Sequence, residues 1–251
     1  MVSRDMIVKY LDEYLRNGSI KDSSSNGLQV AGAEQVSKVG LAVDASLEAY
    51  ELAVKSGCQM LIVHHGLIWN GIKYVTGNNY RHIKYLMDSD LNLFASHLPL
   101  DMHPLVGNNM VLANQLGLRK TSACFNYKGI DIGYRGELAK PLTTKQIVAR
   151  LASAIGGQQV VLPFGKRLNT TVGIVSGGAS DMVTNAIDMG LDCYITGESA
   201  HHNHLQAKEN GINVIFGGHY QTETGGVKAV GELLKKKFKV QTVFIDVPTL
   251  V

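Results

Sequence analysis

Cysteine is scarce: the 251-residue chain carries three, Cys58, Cys124 and Cys193, far apart and without a C-x-x-C pair. An odd, scattered set argues against a disulfide framework and a thiolate zinc site, and fits reduced thiols in a cytoplasmic protein. Long apolar runs are missing too. Nothing approaches the roughly 18 consecutive apolar residues of a membrane-spanning helix. Arg4, Asp5, Lys9, Asp12 and Glu13 interrupt the N-terminal stretch, so no signal peptide is expected there. Charge is nearly balanced: 24 Lys and Arg against 21 Asp and Glu leave +3, which favours neither nucleic acid nor a membrane surface. Glycine-rich phosphate loops are also lacking, since Gly177-Gly178 follows a predicted strand without dinucleotide or Walker spacing. The remainder, 45% hydrophobic and 18% charged, is an ordinary globular composition, enough for one large domain or two lobes with their own cores.

The stretch that stands out is Met60-Leu61-Ile62-Val63-His64-His65-Gly66. Its apolar residues predict a buried strand over 60–63 with two histidines at its carboxyl end, where open α/β sheets bind ligands. Successive strand residues point to opposite faces, so the two rings can share a site only if the strand has ended. Around it, Ser3 is expected to cap a first helix that Asn17-Gly18 stops, and the Asp22 to Gly27 stretch reads as a loop. A short strand over 28–30 and a buried strand over 39–43 follow; Asp44 or Ser46 then caps a helix closing at Gly57. A helix from about Tyr80, a strand ending in Ser96-His97-Leu98-Pro99-Leu100-Asp101, and a helix to about Leu116 complete a first lobe over 1–124.

The segment 125–166 reads as a connection, with a strand at Ile130-Asp131-Ile132-Gly133-Tyr134 and a helix capped by Thr143 or Thr144. The pattern of the first lobe then repeats over the rest of 125–251. Val172-Gly173-Ile174-Val175 matches Val39-Gly40-Leu41-Ala42, and Gly197-Glu198 with His201-His202 stands where His64-His65 stood. His97-x-x-x-Asp101 is answered by His219-x-x-x-Glu223, each just after a strand. The expected architecture is α/β, two pseudo-symmetric lobes from an internal duplication with a metal site in the cleft between them.

Imidazoles and carboxylates after strands are ligands for a borderline divalent ion such as zinc, manganese or iron. His64, His65, Asp101, His219 and Glu223 make five, more than one open catalytic ion needs and enough for two ions that acidify a coordinated water. Alone, each has a plainer role: a structural histidine, an Asx-turn residue at Asp101, a first-turn helix charge at Glu223. Their mirrored placement favours metal. His97 is expected to act catalytically, holding Asp101 or moving a proton, rather than as a ligand. Glu198, His201 and His202 are weaker candidates for the same cleft, and Asp44 reads as a helix cap.

With Val63-His64-His65-Gly66, Ser96-His97-Leu98-Pro99-Leu100-Asp101 and Gly218-His219-Tyr220-Gln221-Thr222-Glu223 in view, the chain resembles the GTP cyclohydrolase I type 2 homologues, also called the interacting-factor-three-like family. Asn26-Gly27-Leu28-Gln29-Val30 is similar to that family's early motif, and Thr196-Gly197-Glu198 also fits. The resemblance implies a two-lobed α/β fold, a dinuclear metal site and a toroidal homohexamer. The family's ligands carry over onto His64, His65, Asp101, His219 and Glu223. One departure is Gly66, where many relatives place proline; it should alter the stiffness of the loop and leave the ligands intact.

The resulting expectation is a cytoplasmic hydrolase with two divalent ions per chain, acting on a nucleotide-like or other small anion. The alternative is a non-catalytic hexameric ring for metal handling or DNA binding. In it, Lys235-Lys236-Lys237 and Lys239 would line a channel; otherwise that run is a solvated helix face. A plainer option is a scaffold whose metals are structural.

Overall fold

The structure is a computed structural model that describes residues 1–249. In chain order its main elements begin with β1 (Val2–Ser3), α1 (Arg4–Leu15), β2 (Gly27–Val30), β3 (Gln35–Val36), β4 (Lys38–Asp44), α2 (Leu47–Lys55) and β5 (Met60–His65). Next come α3 (Gly77–Asp88), β6 (Asn92–Ala95), α4 (Leu98–Asp101), α5 (Asn108–Leu116), β7 (Leu118–Tyr127), β8 (Ile130–Thr143) and α6 (Thr144–Ile155). The chain finishes with β9 (Val160–Pro163), β10 (Leu168–Ile174), α7 (Val183–Asp188), β11 (Cys193–Thr196), α8 (Asn203–Asn210), β12 (Asn213–Phe216), α9 (His219–Phe238) and β13 (Gln241–Phe244). Two compact units result, one from Met1–Leu100 with Gly226–Val247, the other from Asp101–Gly225.

The first unit holds a five-stranded sheet in the order β13-β4-β5-β6-β2, with β1 and β3 paired separately. Its three central strands are parallel and β2 is antiparallel beside β6. Apolar runs suit strands covered on both faces, and Met60, Leu61, Ile62 and Val63 are all fully buried. The second unit holds a six-stranded sheet, β7-β8-β10-β11-β12-β9, in which β10, β11 and β12 are parallel and β9 is antiparallel beside β12. Leu151, Val172, Ile174, Ile195 and Ile215 belong to its core.

The segment 125–166 is therefore no connector. β7 runs through the expected boundary at 124 and pairs antiparallel with the long β8, while β13 returns to lie parallel to β4 in the first unit. The repeat is correspondingly longer than the sequence pattern suggests. From α1 the chain runs β2, β4, α2, β5, α3, β6; from α6 it runs β9, β10, α7, β11, α8, β12, with the same strand neighbours.

A pair of asparagines makes the correspondence chemical. Asn92, opening β6, accepts from Gly32 N–H at 2.7 Å and donates to the Ala33 carbonyl at 2.8 Å. Asn213, opening β12, accepts from Gly165 N–H at 3.0 Å and donates to the Lys166 carbonyl at 2.9 Å. Each ties the turn after the antiparallel edge strand to the sheet, and each is buried.

Local signals mostly hold. Ser46 caps α2 by accepting from Ala49 N–H, and Thr143 forms a capping box with Gln146. α1 ends at Arg16, which takes the left-handed conformation at φ 59°, one residue before the expected Asn17-Gly18 stop. The three cysteines are free thiols, and burial pushes Cys58 up to about 11. Among the described residues no helix is long and apolar enough to cross a membrane. Lys235 pairs with Glu232 at 2.6 Å and Lys237 lies over the Tyr10 ring, so part of the basic run is engaged locally on the helix surface.

Replacing either asparagine by alanine should expose the loss of those turn contacts. Asn92→Ala and Asn213→Ala are each expected to cost about 1–3 kcal/mol, because a backbone amide and a carbonyl lose their partners together. Urea unfolding of the two single variants checks this.

Candidate metal centre

In the first unit three imidazoles are fixed by the same device. β4 and β5 are parallel neighbours in the register Asp44↔His65, so the carboxylate ending one strand lies beside the ring ending the next. His65 Nδ1 donates to Asp44 Oδ1 at 2.8 Å. His64, fully buried, donates from Nδ1 to the Ser96 carbonyl at 3.0 Å, just past β6. His97, the next residue, places Nδ1 at 3.0 and 3.1 Å from the two oxygens of Asp22.

An acceptor at Nδ1 puts the proton there and leaves Nε2 as the lone-pair nitrogen of a neutral ring. That is the arrangement of metal-ligating histidines, whose second nitrogen is held by a carboxylate or carbonyl. The ring centroids are 4.6 Å apart for His64 and His65, 5.1 Å for His64 and His97, and 5.6 Å for His65 and His97. Each ring offers a nitrogen within 4.8 Å of the others. β5 itself runs through His65, two residues beyond the expected strand end at Val63, yet the rings still converge, tilted by 47°.

Asp22 sits on the loop that composition alone marked only as a loop. Its oxygens also accept from Ser24 N–H at 3.2 Å, Asn26 Nδ2 at 3.0 Å and Leu98 N–H at 3.0 Å. Burial by itself would raise the Asp22 pKa, but the hydrogen bonds from His97, Asn26 and Ser24 and the His97 charge hold it well below the usual carboxylate range. Gln29, from the early motif, accepts Leu67 N–H at 2.7 Å and Ile68 N–H at 3.1 Å, setting the turn after the histidine pair. A Cβ at Gly66 would overlap the Gln29 amide and lie 2.7 Å from Ala95 Cβ, so here glycine serves close packing as well as loop flexibility.

The second unit gathers carboxylates. His219 opens α9 and Glu223 lies one turn on, with Nε2 3.2 Å from Oε2. His219 Nδ1 meets Glu198 Oε1 at 2.5 Å. Asp101 accepts from Ser176 Oγ at 3.0 Å and Asn108 Nδ2 at 2.9 Å. Next to Ser176, Gly177 has φ +66°; a Cβ there would overlap Glu223 and lie 3.1 Å from His219 Nε2. Asp101 and Glu223 are 7% and 3% exposed and bring carboxylate oxygens within 4.8 Å of each other. Buried like charges this close call for a cation. His219 is positioned to be one: burial pulls its pKa down, but the hydrogen bonds and charges of Glu223 and Glu198 outweigh this and raise it to about 9.

The structure thus groups His64, His65 and His97 in the first unit, and Asp101, Glu198, His219 and Glu223 in the second. Asp44 holds His65 while Ser46 caps α2, which separates two roles the sequence left as alternatives. His97 turns to Asp22, the partner that sequence reading missed, instead of the expected Asp101. His201 and His202 are exposed, and His202 Nε2 lies 3.2 Å from Asp181.

Without metal, the His219 cation contributes stability below its unfolded pKa of about 6.5, and this is lost as pH rises through the folded value of about 9. Chelator-treated protein should accordingly lose Tm across that window, and His219→Gln should lose less; melting curves at several pH values read the difference. Asp44→Asn should weaken affinity for a divalent ion about 10–100-fold, as loss of a partner holding a ligand does, with Tm little changed. Competition with a chromogenic chelator measures it.

The family model of Duf34/NIF3 (NGG1p interacting factor 3) matches residues 2–250. A protein of Archaeoglobus fulgidus named GTP cyclohydrolase 1 type 2 homolog is 43% identical over 243 residues, 97% of each chain. One of the same name from Pyrococcus abyssi is 43% identical over 249 residues, 99% of each chain. The crystal structure of TTHA1606 from Thermus thermophilus matches with a TM-score of 0.92 at 38% identity, over 100% of both chains.

Proposed function

This chain belongs to the Duf34/NIF3 family, and from that premise we propose that it is a metal-dependent hydrolase holding two divalent ions per chain and acting on a nucleotide-like or similar small anion. The observation that carries the reading is the set of imidazoles whose Nδ1 atoms are committed to Asp44, Ser96 and Asp22. Such rings are fixed in tautomer and direction for a cation at Nε2. His64, His65, Asp101, His219 and Glu223 are the proposed ligands, a mixed nitrogen and oxygen set suited to zinc, iron or manganese. Divalent ions held there supply Lewis acidity and a water of lowered pKa, the means of hydrolysis.

The chain's own residues do the rest. Asp22 and Asp44 hold Nδ1 of His97 and His65 and so aim the Nε2 atoms. Glu198 holds Nδ1 of His219 and so fixes the direction in which its Nε2 would face an ion. His97 joins the ligand-type rings by this geometry, and its Asp22 partner also lets it accept or return a proton at Nε2. The names of the relatives in Archaeoglobus and Pyrococcus support a nucleotide as the substrate class. Homohexameric assembly is the corresponding quaternary proposal, read by light scattering.

Metal analysis of protein purified without chelator tests the reading. About two ions per chain are expected, fewer in the His64→Ala, His65→Ala double variant and in the His219→Ala, Glu223→Ala double variant, with nucleotide hydrolysis by the loaded chain. A native chain that stays empty after incubation with zinc, iron or manganese would contradict it.

A further inference from the structure

Trp69 is the single tryptophan of the chain and is 37% exposed, whereas Tyr50, Tyr194 and Phe94 are fully buried. It is nonetheless held. Its Nε1 donates to the Gly66 carbonyl at 2.8 Å, and its backbone forms an isolated antiparallel bridge with Ser24. On either side of that bridge Ser25 N–H donates to the Ile68 carbonyl at 3.0 Å and Asn70 N–H to the Ser23 carbonyl at 2.7 Å. The loop after the histidine pair is thereby zipped to the loop that carries Asp22.

The indole stands against the imidazole cluster. Its centroid is 5.0 Å from the His97 ring, edge-on at 70°, and 6.1 Å from His65. Ser24 is buried, and its hydroxyl meets no hydrogen-bond partner among the described residues. Side chains of an antiparallel pair project to the same side of the ribbon, so this unsatisfied hydroxyl lies on the indole's side. A large apolar ring, fixed by its polar edge and left partly open beside metal-suited nitrogens, is poorly explained as core packing. A preorganised aromatic surface binds a flat partner with little ordering cost.

We propose that Trp69 is the stacking wall of a subsite for a planar heteroaromatic ring, and that it selects, among small anions, those carrying such a ring. The proposal rests on the metal reading above. A cation at the imidazoles draws the anionic group, and the indole takes the ring attached to it. Loss of base–aromatic stacking typically weakens binding roughly tenfold or more.

The test uses the metal-loaded full chain, with guanosine 5′-monophosphate and ribose 5-phosphate as probes and Trp69 emission as the signal. The guanosine nucleotide should quench that emission and bind about tenfold more tightly than the sugar phosphate. By calorimetry, Trp69→Phe should keep most of the affinity and Trp69→Leu should lose roughly tenfold, both with native metal content. A wild-type chain that takes up no metal would overturn the metal reading and this proposal with it. With metal present, equal affinity for the two probes would overturn the stacking wall alone. So would a Trp69→Leu variant that binds the nucleotide like wild type, whether or not its assembly mass changes.

Discussion

The site depends on where three protons sit. Each of His64, His65 and His97 gives its Nδ1 hydrogen to an acceptor that the sheet or an adjoining loop holds in place: the Ser96 carbonyl, Asp44 and Asp22. A free imidazole exchanges tautomers and rotates. One with a committed Nδ1 presents Nε2 in a single direction as a neutral donor. Remove the acceptors and the same three rings would be a polar cluster with no chemical direction. Two of the acceptors follow from the parallel sheet, since Asp44 and His65 are paired ends of β4 and β5 and Ser96 directly follows β6, while Asp22 comes from a loop.

The duplicated plan is used twice with opposite electrostatics. After β6 the first unit supplies an imidazole, and β5 ends in two more. After β12 the second unit again supplies an imidazole, His219, but β11 is followed by Glu198, and α9 adds Glu223 one turn along. One unit thus presents imidazole nitrogen and the other mainly carboxylate oxygen, with the pKa of His219 raised among those carboxylates. Asn92 and Asn213 do the same structural work in both, so the two units agree in how the turn is tied to the sheet and differ at the strand ends.

Much of this was legible in the chain itself. Buried parallel strands leave short apolar runs, and the residues that end or follow them, His64, His65, His97, His219 and Glu223, could be picked out by position and by their repetition. What periodicity could not show was which partner each ring takes. His97 and Asp22 are 75 positions apart, brought together by a loop whose path no local pattern encodes. Asp44 was open to inference: once β4 and β5 are taken as parallel neighbours, the last residue of one falls beside the last of the other. The segment 125–166 reads as a connector because its strands, β8 and β9, pair antiparallel and lack the uniform burial of the parallel strands β11 and β12. Gly66 gained a second meaning only with Gln29 in view.

Nitrogen-15 NMR of the imidazoles in the metal-free chain, followed by zinc titration, reaches the central claim most directly. Wherever the rings are neutral, His64, His65 and His97 should each show a protonated Nδ1 and an unprotonated Nε2. Zinc should then shift the Nε2 resonances of His64 and His65 while their Nδ1 protons stay. Rings found in the opposite tautomer, or zinc bound with these nitrogens unmoved, would contradict the account.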